Sequence, residues 1–546
     1  MASNEQWPAT QQVFSKPAPS GGLNARDPIA AMPETDAVAL VNWLPDTYGV
    51  RCRKGYREWA INFPSNNPVQ GICAYAAPQD TFPGGTFLDI PTVMPGKLFA
   101  ATKAGIYDVT TSTNAPTLSR ALTGGALSGW IHSVMLTNSA GSFLLVASET
   151  DGYYYYDGAA WAYPTFGGGA GQVAGADPHT FVHVSMWKRR AWFVLRDSTK
   201  ALYLPVDSIT GAGSLFDFGP LFKHGGHLAY IANWTIDAGE GIDDFLVAVG
   251  SNGDVLVYKG TDPASLTTFS LVGSWYVGQI PVGRRAYTQY GGDLVIVSSQ
   301  GVFPVSYVTR GGTDILVASA QEYSSKIRTI MGQDLRSSFT VRGWQVLMHP
   351  SERVMNVSVP DYGSVARQQY AISTSVNQWC IFNNIPVYCY GTCAGYAFAG
   401  TLDGKVLLLY NGQFDNVAYG ATQGQGIPGA MQLAFSSFGT PAMEKQFLMV
   451  RAVFLSADVP NVLVDIGVNY DAAVPTGSPS YIPSTAAVWN TSLWNSAIWG
   501  GAQKVYSEWA TVNGIGFAGG AALVTVCVGD TTLTSVDYMV LPAGPL

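Results

Sequence analysis

Two histidine pairs are the residues best spaced for chemistry. His179 and His183 in HTFVHVS, and His224 and His227 in KHGGHLAY, could each set two imidazoles on one metal ion. A zinc hydrolase needs more than the pair, because it also requires a following glutamate as base and a third protein ligand. Neither pair is followed by these, so the four histidines are expected in loops and strands. Cys380, Cys389 and Cys393 lie close together in WCIFNNIPVYCYGTC, yet not in the CxxC pairing of a structural zinc site. Six cysteines in 546 residues do not make a disulfide framework, and all six are expected as buried free thiols. Asp243 and Asp244 are adjacent, but glycoside hydrolysis needs two carboxyl groups facing one cleft. No GxSxG elbow, P-loop or dinucleotide fingerprint falls in a suitable context, and the repeated S-x-D-x-G-x-x-W turn of sialidases is absent. The chain is therefore expected to carry no catalytic residue, metal set or cofactor, and not to be an enzyme.

Composition points to structure rather than catalysis. Only 12% of residues are charged, while 61 Gly, 31 Pro, 15 Trp, 28 Tyr and 24 Phe are spread along the chain. That is the profile of a β-rich protein with many turns and a largely uncharged surface. A formal net charge of −8 argues against a general electrostatic grip on phosphate. The small basic clusters KRR at 188–190 and RCRKGYR at 51–57 read as solvated turns. The polar start MASNEQWPATQQVFSKPAPSGG has no apolar core of a secretory signal. The most apolar tract, 514–529, is broken by glycine and too short to span a bilayer, so no membrane span is expected.

The elements that position these residues recur with a period. KLFAATKAGIYDV (97–109), SFLLVASETDGYYYYDG (142–158), DFLVAVGSNGDVLVYKG (244–260), GDLVIVSSQGVFPVS (292–306) and YAFAGTLDGKVLLLYNG (396–412) each set two apolar runs about a short turn. Weaker copies are RAWFVLRDSTKALYLP (190–205) and RVMNVSVPDYGSVARQQYAIS (353–373). Asp–Gly and Asn–Gly supply the positive φ that a tight hairpin needs. The turns fall at Gly105, Gly152, about Thr199, Gly253, Gly301, Gly363 and Gly404, at intervals of 47, 47, 54, 48, 62 and 41 residues. A period in the upper forties predicts a β-propeller of about seven four-stranded blades, with six or eight allowed. The insertion at 307–345 holds one helical stretch, 319–331.

Beyond residue 412 the spacing is lost. The expected division is an extended N-terminal segment (1–60), a propeller (61–427) and a C-terminal all-β platform (428–546) on which the N-terminal segment packs. Within the platform, AVWNTSLWNSAIWGG places Trp489, Trp494 and Trp499 five residues apart. That interval matches neither a helix face nor a strand face, which suggests an arm whose rings rest on another surface or fill their own core. Trp43, Trp489, Trp494 and Trp499 are the candidate assembly residues.

The two ends of the chain carry a resemblance. GGLNARDPIAAMPETDAVALVNWLPDTYGVRCRKGYREWA (21–60) resembles the opening of tail proteins from short-tailed bacteriophages. The matching residues are Gly21, Gly22, Leu23, Asn24, Asp27, Pro28, Asn42, Trp43, Pro45, Arg53, Gly55 and Tyr56. AFSSFGTPAMEKQFLMVRAVF (434–454) and the tryptophan arm are similar to the closing domain of the same proteins, the podovirus tail nozzle or tail tubular protein B family. The resemblance implies a structural virion protein assembled in the bacterial cytoplasm. It implies a homohexameric ring below the portal and its head–tail adaptor, a conduit that retains and then passes viral DNA, and an anchor for tail fibres, spikes or a needle. The weak hairpins of several copies depart from an even propeller. A glycan-binding or glycan-degrading propeller of a tail spike is the alternative reading.

Overall fold

The computed structural model describes residues 11–76, 92–237, 242–265, 267–310, 323–360, 367–473, 475, 479, 503–527 and 530–545. The chain divides into two compact units. One comprises Met1–Tyr56, Gln369–Asn383 and Tyr410–Leu546, and the other Arg57–Gln368 and Asn384–Leu409.

The second unit is a seven-bladed β-propeller, as the spacing of the hairpins predicts. Blade 1 runs Gly71–Tyr75, Lys97–Thr102, Gly105–Asp108 and Thr117–Ala121, each strand antiparallel to the last. Blade 2 (Ile131–Asn138 to Trp161–Ala162), blade 3 (Phe181–Trp187 to Ser214–Asp217) and blade 4 (Leu228–Asp237 to Phe269–Tyr276) repeat the four-stranded meander. Blade 5 has three described strands, Tyr287–Tyr290, Asp293–Ser298 and Gly301–Pro304. Blade 6 opens with the hairpin Gln345–His349 and Val354–Ser358. Blade 7 is ordered Cys389–Cys393, Tyr396–Gly400, Val406–Leu409 and then Tyr56–Ala60. A strand from the start of the propeller thus completes its last blade, which closes the ring and removes the free edge that an open array would leave.

Apolar side chains fill the spaces between blades because each blade is hydrophobic on both faces. Tyr75, Phe99 and Ile106 of blade 1 meet Leu144, Val146 and Tyr156 of blade 2. Leu145 and Tyr153 on the opposite face of blade 2 meet Val184 and Phe193 of blade 3. Trp59, from the closing strand, lies between blades 7 and 1, 1% exposed, and donates its indole N–H to the Val109 carbonyl at 2.7 Å. Of the helical stretch expected at 319–331, residues 319–322 lie outside the described residues; the described helix runs Arg328–Ser338, and a short helix, Val305–Arg310, precedes it. The helix buries Met331 and Leu335, one turn apart.

The first unit is built from both ends of the chain. One sheet is ordered Lys504–Gly516, Met443–Ser456, Thr531–Pro545, Gly49–Cys52, Trp43–Asp46, and Gln12–Pro17 pairs along Thr531–Pro545. In the other, Asp36–Val41 lies between Gln378–Ile385 and Ile427–Leu433, followed by Gly519–Cys527 and Asn461–Val468. The long strand Met443–Ser456 alternates buried and part-exposed positions, the period of two that one buried face requires. The backbone N–H of Ala521 in one sheet donates to the Tyr538 hydroxyl in the other at 3.1 Å. The N-terminal segment therefore lies with the C-terminal region, as expected, but the boundaries differ. Residues 369–383 and 410–427, expected in the propeller, group with this unit: Gln378–Ile385 pairs with Asp36–Val41, and the strand that begins at Ile427 pairs with Asp36–Val41 and Gly519–Cys527.

Candidate functional site

The innermost strands of the seven blades surround an axial channel. Its wider part has a volume of about 690 Å³ and carries Ser133, Ser185, Asn233, Thr288, Gln289 and Gln345 among apolar neighbours. Among the described residues this lining contains no Asp, Glu or Lys, and Arg285 is its one cation. The far mouth, about 480 Å³, contains Glu149, Arg196, Asp197, Arg284 and Arg342. Between the two, Trp130, Trp344, Arg284 and Arg285 line a cavity of only about 10 Å³, and these side chains plug the axis there.

The plug is made by two adjacent arginines on the segment entering blade 5. Arg284 reaches the carbonyls of Leu228 and Ala229 on blade 4, and its Nε lies 3.6 Å from Glu149. Arg342 also binds Glu149, at 2.9 Å. Arg285 turns the other way, donating from Nε and Nη2 to the Ile131 carbonyl at 3.1 and 2.5 Å and from Nη1 to the Gln70 carbonyl at 2.8 Å. Its guanidinium carbon lies 5.0 Å from the Trp130 ring. Planar guanidinium forks suit this work, because one side chain can tie together carbonyls from separate blades.

A histidine pair lies beside the plug, and the sequence reading does not find it. His132 on blade 2 and His183 on blade 3 have ring centroids 4.0 Å apart, and each Nε2 contacts the Tyr287 hydroxyl, at 3.1 and 3.0 Å. Tyr287 in turn stacks on Tyr230 at 4.4 Å. Burial lowers the pKa of His132 to about 3, with Arg285 pushing the same way, and it lowers that of His183 well below the usual range. Both rings are therefore neutral at physiological pH. No signal in the sequence pairs residues 51 positions apart on different blades; only the propeller register does.

The pairs singled out by spacing take other roles. His183 joins His132 rather than His179, whose ring stacks on Tyr163 at 4.6 Å. His224 places Nδ1 2.8 Å from Asp254, and the His227 backbone N–H donates to Ser251. Among the described residues no three His, Cys, Asp or Glu side chains converge as a metal site would. All six cysteines are free and buried, and desolvation raises the thiol pKa of Cys389 and Cys393 to about 11.

The N-terminal motif residues form a second constellation, within the first unit. Arg53, 2% exposed, makes a two-pronged ion pair with Asp415 at 2.7 and 2.5 Å. Its Nε donates to the Asn42 side-chain oxygen at 2.8 Å, and Asn42 donates to the Pro428 carbonyl at 2.6 Å from a left-handed backbone, φ 60°. Gly55 has no room for a side chain, since a Cβ there would meet the Phe414 carbonyl oxygen at 1.8 Å. Asn24 donates to Asp27 and Asp36, at 2.8 and 2.7 Å, and accepts the Asp27 backbone N–H. Trp43 is 0% exposed, 6.2 Å from the Phe454 ring, and packs in the core of the unit. Trp489, Trp494 and Trp499 lie outside the described residues.

Fold and sites together define a seven-bladed β-propeller carried with a two-sheet all-β unit. No family model matches the chain, and no curated protein matches it. Among solved structures, the BBS1N chain, crystallised in complex with ARL6DN, aligns over 65% of this chain and 97% of its own, with 10% sequence identity and a TM-score of 0.25. A likeness of that degree carries no argument about function.

Proposed function

We propose that this chain is a tail nozzle subunit of a short-tailed bacteriophage: a structural virion protein forming a homohexameric ring below the head–tail adaptor, through which viral DNA is held and then passed. The observation that carries this reading is the Arg53 constellation. Asn42, Arg53 and Gly55, which carry the resemblance at the N-terminus, interlock with Asp415, Phe414 and Pro428 in one buried network. The motif thus reads as the signature of a unit built from both chain ends. Such a unit suits a ring subunit, which needs a rigid body with two different faces for a contact that closes by rotation.

The plugged axis constrains the conduit. DNA would pass along the axis of the ring, outside each propeller, since the arginines and tryptophans occupy the propeller's own channel. A net charge of −8 suits a wall along which phosphates slide. Tail fibres, spikes or a needle would dock on the outer surfaces. Of the alternative, a glycan-binding or glycan-degrading propeller of a tail spike, only the degrading half lacks support at the wide mouth, where the described residues include no carboxylate pair to act as acid and base.

Electron microscopy of the protein, alone and mixed with a portal–adaptor complex, tests the reading. Six-fold rings with a central opening support it. Single propellers that never assemble, even with the adaptor present, overturn it.

A further inference from the structure

The wide mouth of the propeller channel holds a charge that no group among the described residues neutralises directly. Arg285 lies at its floor, and no described carboxylate approaches within ion-pair distance; the nearby Glu149 is already shared by Arg284 and Arg342. A guanidinium has five N–H donors. Three are committed to the carbonyls of Ile131 and Gln70, which leaves two without a partner among the described residues. A buried cation without a counter-charge is costly, and an anionic ligand is the ordinary way to offset that cost.

A second group in the same mouth calls for the opposite polarity. The Asn233 side-chain oxygen is buried with no hydrogen-bond partner in the described structure. It is an acceptor, so it calls for a hydroxyl or amide donor. Around these two groups stand the hydroxyls of Ser133, Ser185 and Thr288, and the space of about 690 Å³ is of ligand-pocket size. His132 beside Arg285 is neutral and adds no positive charge, so a doubly charged phosphate has less to gain here than a single carboxylate.

We propose that this mouth binds a small sugar acid, its carboxylate on the free N–H groups of Arg285 and a hydroxyl donating to Asn233. The inference does not depend on ring assembly, and its failure leaves the nozzle reading standing.

Trp130, stacked over Arg285, supplies the readout. The full-length protein is titrated with sodium glucuronate, with glucose, and with sodium acetate at matched ionic strength, following tryptophan fluorescence and thermal midpoint. Glucuronate is expected to give a saturable change, with acetate and glucose each at least about tenfold weaker. Arg285→Gln should abolish the response. Because that change also frees the Ile131 and Gln70 carbonyls and can unfold the blades, Ser133→Asp is the companion variant. It sets a carboxylate in the mouth, two residues along the strand from the carbonyl that Arg285 binds, and should weaken glucuronate at least about tenfold in a folded protein. A Ser133→Asp variant that binds like the parent, glucose matching glucuronate, or acetate matching it would each overturn the proposal.

Discussion

Arg53 and Asp415, 362 residues apart in sequence, meet in a parallel two-pronged ion pair with almost no exposed surface. Neither charge is left to water, and the remaining guanidinium donors reach Asn42 and the Lys54 and Asn383 carbonyls. Removing one partner strands the other charge in a dry site. Arg53→Ala is expected to destabilise the first unit by about 3–5 kcal/mol. Replacing both partners by apolar residues, Arg53→Met with Asp415→Leu, should restore most of that. Urea denaturation of the two variants beside the parent checks the pair: a double variant no more stable than Arg53→Ala would mean that the hydrogen bonds to Asn42 and the carbonyls matter more than the charge.

Backbone crowding gives a sharper contrast at two glycines. Gly55 has the Phe414 carbonyl where a Cβ would sit, whereas Gly124 has open space around it and a φ of +85°. Gly55→Ala must push two chain segments apart and is expected to prevent correct folding of the first unit. Gly124→Ala meets only the left-handed backbone penalty, about 1–2 kcal/mol. Soluble yield and thermal midpoint of the two variants, side by side, decide whether crowding or conformation dominates.

The neutral histidine pair makes the propeller sensitive to acid. An unfolded histidine takes up a proton near about pH 6.5. Folded His132 does so only at about 3, and His183 is also held well below the usual range. Between those limits the unfolded chain binds more protons than the folded one. Stability is therefore full above about pH 6.5 and falls as pH drops, the His132 contribution levelling off below about 3. Thermal midpoints measured across this range should show the loss, and His132→Gln with His183→Gln should flatten it. A double variant with an unchanged pH slope would assign the acid sensitivity to other groups.

The propeller was legible because its signal is local and repeated. The turns at Gly105, Gly152, Gly253, Gly301 and Gly404 each join the second and third described strands of a blade, or the equivalent pair in blades 5 and 7. Ring closure by Tyr56–Ala60 was not legible, because a strand of five residues carries no mark of a partner some 350 positions away. The same holds for Gln378–Ile385, whose apolar run continues the propeller pattern although it pairs with Asp36–Val41. Arg53 and Asn42 were singled out by resemblance, but their role appears only when Asp415 and Pro428 are brought beside them. Arg284, Arg285 and His132 gave no motif at all. Their meaning lies in register around the channel, which a single sequence does not encode at short range.

That register sets the last prediction. Glu149 is 10% exposed at its side chain and is the carboxylate bound by both Arg284 and Arg342. Glu149→Gln keeps the shape and removes the charge, leaving two guanidinium groups at the plug without a partner of opposite sign. The cost is expected to be about 3–5 kcal/mol, as for other broken buried pairs, with Arg284 still tied to the Leu228 and Ala229 carbonyls. Adding Arg342→Gln to the variant removes one of the stranded charges and should recover part of the loss, because the two sites share Glu149 and are not additive. If Glu149→Gln melts like the parent, the carbonyl contacts alone hold the channel closed and the ion pairs are incidental to it.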